Sequence, residues 1–394
     1  MPLPTDKAPA GPVLDAPHFA EYISALNEHG AGEPAAVDGF VTDAHGVTAH
    51  ESGQNLDSIE TEGEDEHDHD DDSAIGGISR FHSTASVQSS VYEFVEENGR
   101  TYHRYKEGKY VMPNDEIEQD RLDMQHQLWL MTLSDKLHLA PIKPNPNHIL
   151  DIGTGTGIWA IDCATMYPTA SVIGSDLSPI QPAFVPPNCQ FEVEDVEDEW
   201  TYTQGFDFIH GRLLVSCFKD PRAVFAQAFA HLAPGGYFEM QDADFPLRCI
   251  DDSMRGTALE QWNGHIVDGA ARAGRPWTNT KRYKQWMLEL GFVDVHEKLF
   301  QWPLNTWPRD PHLKMLGLWF QHDLTEGLNS TKAVLTRGLK WSNEEAEVFL
   351  VDVRKDIKNR AVHAYASLHV VYGKKPDVVE MSPPRPSGEG EEEA

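Results

Sequence analysis

One short stretch combines an acid with bare backbone. Asp151 is followed by Gly153, Gly155 and Gly157 at every second position. Glycine takes positive φ and lets a ligand approach without a Cβ in the way. Ile158 then opens an apolar-periodic run, so a helix N-terminus with unpaired N–H groups follows the turn. A second acid, Asp176, closes the next apolar run, roughly 20–25 residues on, where a ribose-binding carboxylate belongs in this geometry. The pattern suits a nucleotide-type cofactor on the carboxyl edge of a parallel sheet. Asp151 would repel a pyrophosphate but could bind the ammonium of an amino acid. No Gly-Lys-Ser/Thr follows to hold a triphosphate. A dinucleotide stays open on spacing, because Gly155, Gly157 and Ala160 satisfy the G-x-G-x-x-G/A form.

The elements that must position these residues are legible around them. Ile149, Leu150 and Ile152 have the unbroken apolar character of a strand buried on both faces. Further strands are expected at 171–175, 189–193, 206–210 and from Tyr237. A helix spans 221–232, with Val224, Phe225, Ala228 and Leu232 on one face. A second spans 282–290 and stops at Gly291. Alternation suits strands at 292–299 and 362–372. Between these two lies a Trp-rich segment of helical pattern, about 301–360, read as a cap over the substrate side. Trp302, Trp307, Trp319 and Phe320 are candidates to line a pocket there, with plain core packing as the alternative.

The formal net charge is −31, and most of it lies at the two ends. Residues 1–80 hold 18 acids against two Lys/Arg, and 376–394 hold six against one. The run Glu62–Asp72 is one no core could bury, so an acidic disordered arm (1–80) and tail (376–394) are expected. His67 and His69 read as part of that solvated tract, and 19–26 as a short helix for a partner. An acidic surface argues against direct nucleic-acid binding. Cys163, Cys189, Cys217 and Cys249 show no metal or disulfide spacing, which fits a reducing compartment. No signal peptide or membrane span is evident.

The Asp-x-Gly-x-Gly-x-Gly pattern resembles motif I of class I S-adenosylmethionine-dependent methyltransferases. Upstream, Glu97-Asn-Gly-Arg-Thr-Tyr-His103, Tyr105, Gly108-Lys-Tyr110, Pro113-Asn-Asp-Glu116 and Arg121-Leu-Asp-Met-Gln-His126 resemble the lead-in of LaeA-like methyltransferases of filamentous fungi. His210-Gly-Arg212 strengthens the match, which covers about 92–372. The resemblance implies a Rossmann-like α/β fold: seven strands, mostly parallel, the last antiparallel, with a helical insertion between strands six and seven. It implies a helical lead-in or lid (81–145) and a methyltransferase domain (146–375). It implies S-adenosyl-L-methionine held by Asp151, Gly153, Thr154, Gly155 and Gly157 at the methionine half, by Asp176 and Leu177 at the ribose, by Asp195 and Val196 at the adenine, and by Arg212 at a carboxylate. His210 or Tyr102 is the candidate base or substrate contact. The family regulates secondary metabolism and development, often with velvet-domain partners, so nucleus or cytoplasm is the expected location. The acceptor is open between a protein and a small molecule of a biosynthetic pathway, and a scaffold with little turnover is a further alternative.

Overall fold

The computed structural model describes residues 93–377, apart from positions 98, 107 and 111. The acidic arm, the island at 19–26 and nearly all of the tail lie outside the described residues. The described chain opens with a hairpin, β1 (Phe94–Glu97) and β2 (Arg100–His103), paired antiparallel. Helix α1 (Glu116–Leu133) follows, its first turn capped by the Asp115 carboxylate on the Glu118 N–H. The lead-in is therefore a hairpin plus a helix rather than helical throughout. Glu97-Asn-Gly-Arg100 accounts for the hairpin, since Asn-Gly between extended runs favours a tight turn.

The sheet is then laid down as β3 (His148–Ile152), α2 (Ile158–Met166), β4 (Ser171–Asp176), β5 (Cys189–Val193), β6 (Phe206–Arg212), α3 (Pro221–His231) and β7 (Leu232–Cys249). Helix α4 (Ala258–Arg272), a short 3-10 turn, α5 (Tyr283–Leu290) and β8 (Val293–Pro303) follow. Helix α6 (Pro311–Ala333), a π turn at Val334–Gly338 and α7 (Asn343–Lys358) lead to β9 (Ala364–Lys374). The strand order is β5-β4-β3-β6-β7-β9-β8. β3 to β7 pair in parallel, and β9 runs antiparallel between β7 and β8. The expected seven-stranded sheet, its antiparallel last strand and the helical insertion between strands six and seven are all present.

Ile149, Leu150 and Ile152 are fully buried, as strands covered on both faces must be. Helix α4 is an element the periodicity argument passed over. Its Leu259, Trp262, Asn263, Ile266, Gly269 and Ala270 form a buried stripe. It packs with the cap into one apolar cluster that includes Trp302, Phe320 and Leu350. Trp302 also meets Trp129 of α1 edge-on at 5.2 Å, so the insertion rests on the lead-in as well as on the sheet.

Central strand β7 carries buried acids. Glu239 accepts from the Leu139 N–H (2.9 Å), the Ala140 N–H (2.5 Å) and the Gln241 amide (2.7 Å). Burial pushes it to about 7, and does the same to Asp242. Both folded values lie above the unfolded ones, so the fold binds more protons and gains stability as pH falls through about 7. Buried His126, His138 and His210 are shifted down and oppose this only below their unfolded value of 6.5. The melting temperature is therefore expected to rise by several degrees between pH 8 and pH 6.5 and then to level off. Scanning fluorimetry checks this, and a flat or falling curve over that interval contradicts it.

Candidate active site

The glycine turn sits where β3 gives way to α2. Gly153, Gly155 and Gly157 all have positive φ. A Cβ at Gly153 would come within 2.4 Å of Leu214, so the turn is wedged against the segment after β6. At Gly155 a Cβ would make only an ordinary contact, with Leu122 at 3.5 Å. Thr154 spends both its donors inside the turn. Its N–H reaches the Ser175 carbonyl at 3.0 Å, and its hydroxyl donates to Asp151 at 2.6 Å.

Asp151 is buried, and its other carboxylate oxygen accepts from His210 Nδ1 at 2.7 Å. The His210 ring stacks on Trp159, nearly parallel to it, with 3.8 Å between centroids. Burial lowers its pKa despite the Asp151 contact, so the ring is a neutral donor through Nδ1. Its other nitrogen, Nε2, is buried and makes no hydrogen bond. Through Nδ1, His210 orients the Asp151 carboxylate. The expected role as a base or substrate contact falls to Nε2, on the cavity-lining ring.

Asp176 accepts from the Gly155 N–H and the Ser178 N–H, both at 2.9 Å. Burial lifts it to about 6 against those bonds. Leu177 stands beside it in the cavity wall. At the tip of β5, Asp195 is ion-paired with Lys109 and, at 3.0 Å, with Lys106. Burial works against its charge, but the Lys109 and Lys106 ammoniums and the Glu197 N–H outweigh it and hold its pKa below the ordinary value. The two lysines belong to the segment between β2 and α1, so the lead-in closes on the sheet edge through this acid. Val196 also lines the cavity, and its carbonyl accepts from the Trp200 indole.

Arg212 is fixed by a relay. Its Nη2 donates to His126 Nδ1 at 2.9 Å, and His126 Nε2 donates to Asp162 at 3.0 Å. Burial lowers Arg212 to about 10 in spite of Asp151, Asp162 and Asp123. A desolvated guanidinium between a neutral imidazole and the cavity attracts a carboxylate strongly.

Asp151, Gly153, Thr154, Gly155, Asp176, Leu177, Asp195, Val196, His210 and Arg212 thus line one cavity. Gly157 stands just behind it as the N-cap of α2. Tyr102 does not join them. It lies on β2 with the Arg337 guanidinium 5.4 Å from its ring, and lines a separate recess with Glu97, Arg100 and Lys332. β2 pairs only with β1, and that hairpin carries Tyr102 away from the sheet's carboxyl edge. Tyr102→Phe is expected to change cofactor affinity and turnover by less than about twofold, as surface changes do. A tenfold loss in a steady-state assay would return it to the site. Of the lead-in tyrosines, Tyr110 lines the cavity instead.

The cavity has a second half that the motifs did not announce. Phe245, Leu247, Trp262, Trp277, Trp302 and Phe320 build it, from β7, α4 and its following loop, β8 and α6. Trp302 and Phe320 were candidates, whereas Trp307 donates to the Ala364 carbonyl and Trp319 packs on the core. Trp262 had a readable signal. Thr257-Ala-Leu-Glu260 is a capping pattern, and the Thr257 hydroxyl does accept from the Glu260 N–H at 3.1 Å. Among the described residues no cluster of three His, Cys, Asp or Glu could hold a metal, and no helix is long and apolar enough to cross a membrane.

A glycine turn with an acid on either side, at the carboxyl edge of this sheet, is the arrangement of a methyltransferase, and residues 124–297 match the family described as "Methyltransferase domain". The methyltransferase pytC of Aspergillus terreus is 37% identical over 297 residues, 75% of this chain and 92% of that protein. The secondary metabolism regulator LAE1 of Cochliobolus heterostrophus is 39% identical over 71% of this chain and 94% of its own. The protein-methionine methyltransferase laeA of Emericella nidulans is 37% identical over 74% and 79%. The chain belongs to the LaeA-like methyltransferase family.

Proposed function

We propose that this protein binds S-adenosyl-L-methionine and works as a regulator of secondary metabolism and development by methyl transfer. The observation that carries the reading is Asp176 on the Gly155 N–H, with Asp151 lining the same cavity. The residues fit that cofactor. Asp151 would meet its ammonium, Arg212 its carboxylate, Asp176 its ribose hydroxyls and Asp195 its adenine amino group. When bound, the cofactor supplies a methyl group on a sulfonium, a leaving arrangement that needs no covalent help from the protein. The chain's own work is alignment and exclusion of water. Leu214 wedges the turn, His210 and Thr154 fix the Asp151 carboxylate, and the Lys106 and Lys109 contacts draw the lead-in over the adenine edge.

Transfer of labelled methyl from the cofactor in a cell extract tests the enzyme. Label is expected in an acceptor with the wild type and not with Asp176→Ala, and its absence with both favours the scaffold. Velvet-domain or other regulatory partners, and a nuclear or cytoplasmic site of action, belong to the same reading. Co-purification with a tagged chain and imaging of the tag are the measurements that decide those two points.

A further inference from the structure

The acceptor half of the cavity has a chemistry of its own. Its walls are mostly aromatic or aliphatic, with Ser330 and Thr331 as polar exceptions, and Trp262 and Trp302 are at most 1% exposed. Two charged side chains reach it, Arg121 and Asp323, and they are spent on each other at 2.7 Å. Glu118 accepts from Arg121 Nε and Nη2, and the Gln125 amide donates to Asp323. An ammonium or carboxylate entering here would give up its water for at most one unpaired side-chain group, the Trp262 indole N–H, at a cost of several kcal/mol. A flat apolar molecule would exchange water for ring faces and edges.

The same contacts restrict size. Arg121–Asp323 and the Ser330 hydroxyl on Glu118 (2.7 Å) tie α1 to α6. Tyr110, Met112, Pro113 and Asn114 cover the lead-in side. A folded protein segment would have to open these ties in order to enter, whereas a small molecule would not.

Building on the cofactor reading, we propose that the acceptor is a free, uncharged, largely aromatic small molecule held between β7, α4 and α6. The Arg212–Phe218 segment lines this cavity too, so the acceptor would meet the same segment whose Leu214 wedges Gly153.

The test uses the full chain and three probes that share one ring system: naphthol, naphthoate and naphthylmethylammonium. Calorimetry is run with S-adenosylhomocysteine alone, and then with each probe on the saturated protein. Naphthol is expected to bind at least tenfold more tightly than either ion. Ala366→Phe, and the milder Ala243→Val, narrow this half and are expected to weaken naphthol by about tenfold or more while S-adenosylhomocysteine binding stays within twofold. Equal affinity for the three probes, or naphthol binding indifferent to both variants, overturns the acceptor class and leaves the cofactor reading standing. Wild-type protein that fails to bind S-adenosylhomocysteine overturns the cofactor reading itself. Competition with bound naphthol by the low-molecular-weight filtrate of a cell extract supports a free molecule. Competition by the retained protein alone overturns it.

Discussion

Replacing Asp176 with alanine should weaken S-adenosylhomocysteine binding by about 100-fold. The carboxylate stands at the end of β4 with one oxygen on the Gly155 N–H and one on the Ser178 N–H. Hydrogen bonds to a charged group contribute about 1.5–3 kcal/mol each, and about 2.7 kcal/mol is 100-fold in affinity. Alanine removes the bonds that a ribose would make. It also leaves the Gly155 N–H without its acceptor, so the turn keeps only the Thr154 N–H on Ser175 as a hydrogen-bonded tie to β4. The pH dependence separates this role from mere packing. Burial lifts the carboxyl to about 6, so it is charged above that value and protonated below it. Wild-type affinity should therefore fall as pH drops through about 6, and Asp176→Asn should abolish that slope. Calorimetric titrations between pH 5 and 8 read both. An Asp176→Ala protein that binds within threefold of wild type would remove the acid from the site.

How much of this was legible depended on how far apart the partners lie in the chain. The glycine turn, both acids and strands β3 to β6 are local signals: apolar runs, each ending in a turn or an acid. The sheet came through because strands buried on both faces read as continuous hydrophobic stretches. The hairpin's Asn-Gly and the α4 capping pattern are equally local signals, although neither the hairpin nor the helix was among the expected elements. What spacing could not show were contacts across the fold. The setting of His210 depends on Asp151 and Trp159, which come from two different elements. The lysines that occupy Asp195 come from 86 and 89 positions upstream, and nothing in either local sequence announces the pairing. The apolar half of the cavity draws on β7, α4, β8 and α6, so no single stretch carries its pattern.

Those distant contacts also define where the protein is most fragile. Arg121→Met should destabilise the fold by about 3–5 kcal/mol, the cost of leaving buried carboxylates without their cation. Arg121 bonds Glu118 through two nitrogens (2.5 and 3.1 Å) and Asp323 through a third (2.7 Å), and all three residues are nearly inaccessible. Burial disfavours the Asp323 charge and raises its pKa, and Arg121 is the strongest influence in the other direction. Methionine keeps most of the volume, so the loss is electrostatic rather than a cavity effect. The triple change Arg121→Met, Glu118→Gln, Asp323→Asn removes the charges together and should recover much of the stability, since the desolvation penalty disappears with them. Denaturant titrations of the four proteins make the comparison. Because the triad joins α1 to α6, Arg121→Met should also loosen the closure of the acceptor half while sparing the glycine turn. Its turnover would fall further than its affinity for S-adenosylhomocysteine. Equal losses in both would mean that the triad supports the whole fold and has no particular hold on the acceptor side.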